Sequence, residues 1–226
     1  MTGIFDSGVG GLTSLRELRR LKPNEDICYL ADKKNAPYGN KDRERLTELV
    51  MADIDRLRLY GCEEILIACC TASTVYGLLP EEYRQGVLPI ITPAAELAVS
   101  LSGGGRIAVI ATDATVRSRA FEEEICRLDG GAQVLSVAAQ PLVGMVEQGE
   151  RDGSCSQECR GYLRELLEPI SLWGAELIIL GCTHFTHLRA TVEELLGIRA
   201  VSPSLVGAAV MAGRLGEGGE GRTVFL

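Results

Sequence analysis

Two short uncharged runs constrain this chain more than any other feature: Ile65-Leu66-Ile67-Ala68-Cys69-Cys70-Thr71 and Leu177-Ile178-Ile179-Leu180-Gly181-Cys182-Thr183-His184. Each is continuous and rich in branched residues, which reads as a strand buried on both faces. Such burial belongs to a parallel sheet covered by helices. Both runs end in cysteine and threonine, so the thiols lie just past a strand's carboxyl end, where open α/β sheets place their ligands. Two such thiols suggest proton chemistry shared between two bases.

The rest of the chain alternates in the same way, which makes the expected class α/β with mostly parallel sheets flanked by helices. Strands are expected at Gly3 to Phe5, Asp26 to Leu30, Ile65 to Ala68, Leu88 to Ile91, Ile107 to Ala111, Gln133 to Val137, Leu177 to Leu180 and Arg199 to Val201. The clearest helices are Leu12 to Leu21, Arg43 to Tyr60, Thr115 to Leu128, Glu158 to Trp173 and His187 to Leu196. Gly103-Gly104-Gly105 marks a turn, and Gly216 to Gly221 reads as a loop or frayed end. On either side of that first turn the halves look alike. Asp6-Ser7 follows a strand early in one, Thr112-Asp113-Ala114-Thr115 follows one early in the other, and the cysteine-threonine strand comes later in each. Two similar lobes related by a pseudo-twofold would bring the strand ends to one cleft. The expected lobes are residues 1–92 with 204–226, the C-terminal helix returning to the first lobe, and residues 93–203. Repeat logic leaves the partner of Cys182 open between Cys69 and Cys70.

Composition narrows the function classes. The 23 basic and 31 acidic side chains give a net charge of −8, the wrong sign for a phosphate-neutralising surface, which argues against nucleic acid as a principal ligand. No apolar stretch approaches the roughly 18 residues of a membrane span, and no basic region with an apolar signal core opens the chain, so the expected location is the cytoplasm, with no membrane partner. Eight cysteines without an export signal do not suggest a disulfide framework. Cys155 and Cys159 have no second close pair, and with only His184 and His187 as histidines no metal site is expected. Cys28, Cys62 and Cys126 fit apolar patterns as core residues, whereas Cys155 and Cys159 read as exposed thiols at a helix start. Glycine loops, hydroxyls and helix N-termini suit an anionic ligand such as an acidic amino acid.

In order and spacing, Phe5-Asp6-Ser7-Gly8-Val9-Gly10-Gly11, Ala36-Pro37-Tyr38-Gly39, Ile67-Ala68-Cys69-Cys70-Thr71-Ala72 and Gly181-Cys182-Thr183-His184 resemble the cofactor-independent aspartate/glutamate racemase superfamily, and within it the glutamate racemases, over nearly the whole chain. The resemblance implies two α/β lobes with the site between them. It also implies racemisation of glutamate without a cofactor, supplying D-glutamate for peptidoglycan. Cys69 and Cys182 match the two catalytic cysteines, the first removing the proton of the D-enantiomer and the second that of the L-enantiomer. Asp6 and His184 match the groups that assist them, and Glu147 of Val146-Glu147-Gln148-Gly149 is a further supporting carboxylate. Ser7, Pro37, Tyr38, Gly39, Cys70, Thr71, Thr115 and Thr183, together with Asp6 and His184, match substrate-binding positions. Self-association as a homodimer stays open.

Three departures from that pattern stand out. Cys70 replaces the usual asparagine of Cys-Asn-Thr, Thr186 stands where proline is common, and the chain ends at Thr223-Val224-Phe225-Leu226, which leads us to expect the family's last strand and helix to be missing. Cys70 keeps two alternatives in view: a racemase for another acid, such as aspartate or a hydantoin-like compound, or a racemase-like binding or regulatory protein without turnover.

Overall fold

A computed structural model describes residues 1–103, 105–148, 155–216 and 218–226. Gly104 of the glycine turn, Gly149 of the Val-Glu-Gln-Gly segment and residue 217 of the C-terminal glycine stretch lie outside the described residues. The chain opens with β1 (Thr2–Asp6), α1 (Leu12–Leu21), β2 (Ile27–Ala31), α2 (Arg43–Leu59), β3 (Glu64–Ile67), α3 (Cys70–Ser73), α4 (Glu81–Arg84) and β4 (Val87–Pro89). It continues through α5 (Ile91–Ser102), β5 (Arg106–Ala111), α6 (Asp113–Ser118), α7 (Ala120–Leu128), β6 (Gln133–Ala138), α8 (Pro141–Gln148), α9 (Gln157–Trp173), β7 (Leu177–Gly181), α10 (Arg189–Leu196) and β8 (Arg199–Val201). Then come α11 (Pro203–Arg214) and β9 (Thr223–Phe225).

These elements form two compact units, Met1–Ile90 with Ser204–Leu226, and Ile91–Pro203. The first holds a parallel sheet in the order β4-β3-β1-β2-β9, the second a parallel sheet in the order β6-β5-β7-β8. Read from β8, the second order, β8-β7-β5-β6, repeats the first four positions of the first, β4-β3-β1-β2, and β9 has no counterpart among the described residues. The uncharged runs occupy interior strands, as their lack of any polar face requires. Phe5, Leu30, Ile54, Leu57, Ile65 and Ile67 are buried in the first core. Ile110, Leu163, Ile170, Ile178, Leu180 and Phe185 fill the second.

Helix ends follow from local chemistry. Asp42 caps α2 by accepting the Arg45 amide, and Ser156 caps α9 by accepting that of Cys159. α9 stops at Gly174, whose φ of 73° suits the left-handed position after a helix.

Several expectations need correction. The helix expected over Thr115 to Leu128 is two, because Arg119 takes a left-handed φ of 58°. The segment expected to start a helix at His187 begins as 3-10 turns over Thr183–Leu188 before α10. The strand expected to reach Ile91 ends at Pro89, and Ile91 opens α5. A strand does form near the C-terminus: β9 pairs with β2. Cys126 is exposed rather than core, since α7 buries Phe121 and Ile125 and the next residue points about 100° away. Cys159 is buried rather than exposed, because it shares the inward stripe of α9 with Leu163, Leu167 and Ile170.

Candidate active site

In the first unit the site is built by strand register. β1 pairs with β3 through Phe5↔Ile67, and the Ala68 amide continues the ladder by donating to the Phe5 carbonyl. The next residues on both strands, Ser7 and Cys69, are therefore neighbours, with Ser7 Oγ 3.6 Å from Cys69 Sγ. Cys69 is the N-cap of α3, its sulfur accepting the Ala72 amide at 3.5 Å. Cys70 and Thr71 form the first turn of that helix and are buried. Asp6 Oδ2 accepts the Gly11 amide at 2.9 Å, while Oδ1 is buried without a hydrogen-bond partner among the described residues. A side chain at Gly11 would not fit, since a Cβ there would lie 2.6 Å from the Asp6 Cβ and 2.9 Å from the Tyr29 hydroxyl. Burial pushes the Cys69 thiol well above its ordinary range, and the nearby Asp6 carboxylate adds to that.

The second unit repeats the placement. β5 pairs with β7 through Ala111↔Gly181, so Thr112 and Cys182 are the first residues past the paired strands. Cys182 is the N-cap of the turn over Thr183–Leu188, as Cys69 is of α3. By its place in its own sheet, Cys182 therefore corresponds in position to Cys69 rather than to Cys70. Its sulfur lies 3.7 Å from His184 Nδ1, and His184 Nε2 lies 3.1 Å from Glu147 Oε1. Thr112 caps α6, and its hydroxyl lies 2.9 Å from that of Thr115. Thr183 is buried beside Cys182.

The first unit brings Asp6, Ser7, Cys69, Cys70 and Thr71 to adjoining strand and helix ends. The second does the same for Cys182, Thr183 and His184 with Glu147. Tyr38 behaves differently: it is buried, and its hydroxyl is engaged by Asp32 and Asp53. Sequence reasoning passed over those two aspartates and over Thr112. A signal was there for Asp32, a polar residue directly after β2 whose amide donates to the Asp6 carbonyl at 3.0 Å. Among the described residues no cluster of three histidine, cysteine or carboxylate side chains is placed to hold a metal ion.

The model of the Asp/Glu/hydantoin racemase family matches residues 15–211. The chain belongs to that family. It is 39% identical over 214 residues to a glutamate racemase of Desulforudis audaxviator, covering 94% of this chain and 77% of that one. Among solved members of the family, the Francisella tularensis glutamate racemase in complex with D-glutamate superposes with a TM-score of 0.89 at 28% identity, over 99% of this chain and 86% of that one. The Bacillus anthracis glutamate racemase superposes with a TM-score of 0.87 at 30% identity, over 95% and 81%. No helix among the described residues is long and apolar enough to cross a membrane.

Proposed function

We propose that this chain interconverts L- and D-glutamate with two cysteine bases, supplying D-glutamate for peptidoglycan in the cytoplasm. The observation that carries the reading is the repeated address of Cys69 and Cys182, each just past the hydrogen-bonded end of an interior strand and each at the N-cap position of the turn that follows. Family membership and the glutamate racemases it resembles support the substrate.

Inversion needs a base on one face of Cα and an acid on the other. From D-glutamate, the Cys69 thiolate takes the Cα proton, the electron pair passes into the α-carboxylate, and the Cys182 thiol delivers its proton to the opposite face. Cys69 is left as thiol and Cys182 as thiolate, ready for the reverse reaction. The unpartnered Asp6 Oδ1 accepts from the substrate ammonium, whose positive charge offsets the carboxylate and draws the buried Cys69 thiol back toward ionisation. For Cys182, His184 Nε2–H donates to Glu147, which leaves Nδ1 to accept from the Cys182 S–H. Ser7, Thr71, Thr115 and Thr183, with the Pro37–Gly39 segment, hold the carboxylates. No step uses a cofactor.

Incubating the protein with either enantiomer of glutamate in deuterated water tests this directly. Deuterium at Cα together with inversion is expected, and Cys69→Ala or Cys182→Ala should lower racemisation by about 10²–10⁴-fold. Inversion of aspartate but not glutamate would reassign the substrate. Near-normal turnover by either variant would overturn the two-thiol mechanism.

A further inference from the structure

The Tyr38 hydroxyl lies 2.7 Å from Asp32 Oδ2 and 2.6 Å from Asp53 Oδ2, and all three side chains are buried. A phenol carries one proton to donate. Two oxygen contacts this short need a proton in each, since otherwise lone pairs would face one another in a low-dielectric setting. The other partners of the two carboxylates distinguish them. Asp32 accepts from the Asn35 side-chain amide nitrogen on both oxygens, at 3.0 and 2.9 Å, which leaves Asp53 the better place for a proton. An extra proton on Asp53 Oδ2 would let that carboxyl donate to Tyr38 Oη while Tyr38 Oη donates to Asp32, giving each contact its proton.

The groups facing Asp53 are Tyr38 from the segment after β2, Asp32 from the end of β2 and Arg56 from α2 itself. Burial, the largest effect, and the Asp32 charge favour the protonated form, while the Tyr38 hydrogen bond and Arg56 favour the ionised one. The balance leaves the Asp53 carboxyl pushed up to about 7.

We propose that the proton held on Asp53 fixes Tyr38 and the Pro37–Gly39 segment, which makes Asp53 a positioning residue for substrate whose deprotonation weakens binding. This rests on the proposed glutamate racemase reading, in which that segment touches substrate. When Asp53 gives its proton to solvent, two carboxylates compete for one phenolic proton, and one of the two contacts holding Tyr38 is lost. Substrate affinity should fall as pH rises through neutrality and return as pH is lowered.

Asp53→Asn separates this role from a merely structural one. The asparagine amide keeps a donor toward Tyr38 Oη at every pH, as the protonated aspartate does only below neutrality. The wild-type to variant ratio of KM for glutamate should stay near unity in mild acid and climb toward about tenfold by about pH 8.5, the scale of one lost hydrogen bond, with the kcat ratio flat. Carbon-13 NMR of aspartate-labelled wild-type protein should show the assigned Asp53 carboxyl titrating near neutrality, a readout that needs no variant. Titration of Asp53 in the ordinary carboxylate range, or a KM ratio that does not move with pH, would overturn the inference. Absence of turnover alongside pH-dependent glutamate binding in calorimetry would instead overturn the functional reading and leave the inference standing. Absence of both turnover and glutamate binding would overturn both.

Discussion

His184 stands between Glu147 and Cys182, its Nε2 3.1 Å from the carboxylate and its Nδ1 3.7 Å from the sulfur. With Nε2–H donating to the carboxylate, the neutral imidazole presents its Nδ1 lone pair to the thiol. Glu147 is half-exposed, so its pull is screened and its loss should be modest. Glu147→Gln should lower kcat/KM by about tenfold. Since the equilibrium constant of a racemisation is unity, the fall must be equal from L- and from D-glutamate. Circular dichroism time courses from both sides check it.

Cys70 occupies the first helical position of α3, directly after the cap, where the resemblance expects an asparagine. A hydrogen bond to a charged group contributes about 1.5–3 kcal/mol, so restoring the amide with Cys70→Asn should raise kcat/KM for glutamate by about one to two orders of magnitude. Steady-state kinetics of the variant beside wild type decide it. A drop with glutamate, joined to strong wild-type turnover of another acid, would mean that the pocket is built for that acid.

Gly11 is fixed by space. With a Cβ only 2.6 Å from the Asp6 Cβ, Gly11→Ala must push Asp6 or α1 aside, at a cost of about 1–3 kcal/mol. We expect a lower melting temperature and a higher KM for glutamate. Unchanged values for both would show that the turn yields freely.

At the edge of the first sheet, the Arg222 guanidinium lies 3.0 Å from Asp26 and holds its carboxyl down to about 2. A carboxyl lowered in the folded state stabilises the fold above its unfolded value of about 3.9, and that contribution is lost as pH falls through the folded value. β9 should therefore loosen between about pH 4 and pH 2. Arg222→Ala should flatten that part of the acid stability curve. Hydrogen exchange at Phe225 and Leu226 reports it, the Leu226 amide being bonded to the Tyr29 carbonyl.

The interior strands were legible because a parallel strand buried on both faces tolerates no polar residue, and Leu177–Gly181 shows it in its letters. α1 was equally clear, its buried Leu15 and Leu18 set against Arg19 and Arg20 in the last turn. What escaped was decided by contacts far apart in sequence. β9 is three residues long and exists through pairing with β2 and the grip of Arg19 on the Arg222 carbonyl and Thr223 hydroxyl. The break at Arg119 carries no glycine or proline to announce it. In the site, the two cysteines past β3 and β7 could be picked out from the apolar runs that precede them, whereas Asp32 and Thr112, directly after β2 and β5, were passed over as site residues. The partners Asp32 and Asp53, 21 residues apart, meet only because Tyr38 lies between them.

The first unit is written in two pieces, Met1–Ile90 and Ser204–Leu226, with the whole second unit between them. During synthesis the strand carrying Asp6 therefore emerges long before α11 and β9, which complete its unit. Joining Cys28 to Val224 as an unstructured loop would be slow and entropically costly. If Ile91–Pro203 folds first, that loop becomes a compact insert and the closure is far easier. The order of events on the ribosome would then run from the middle of the chain outward, and a lesion in the Cys182 half would delay maturation of the Cys69 half without touching it.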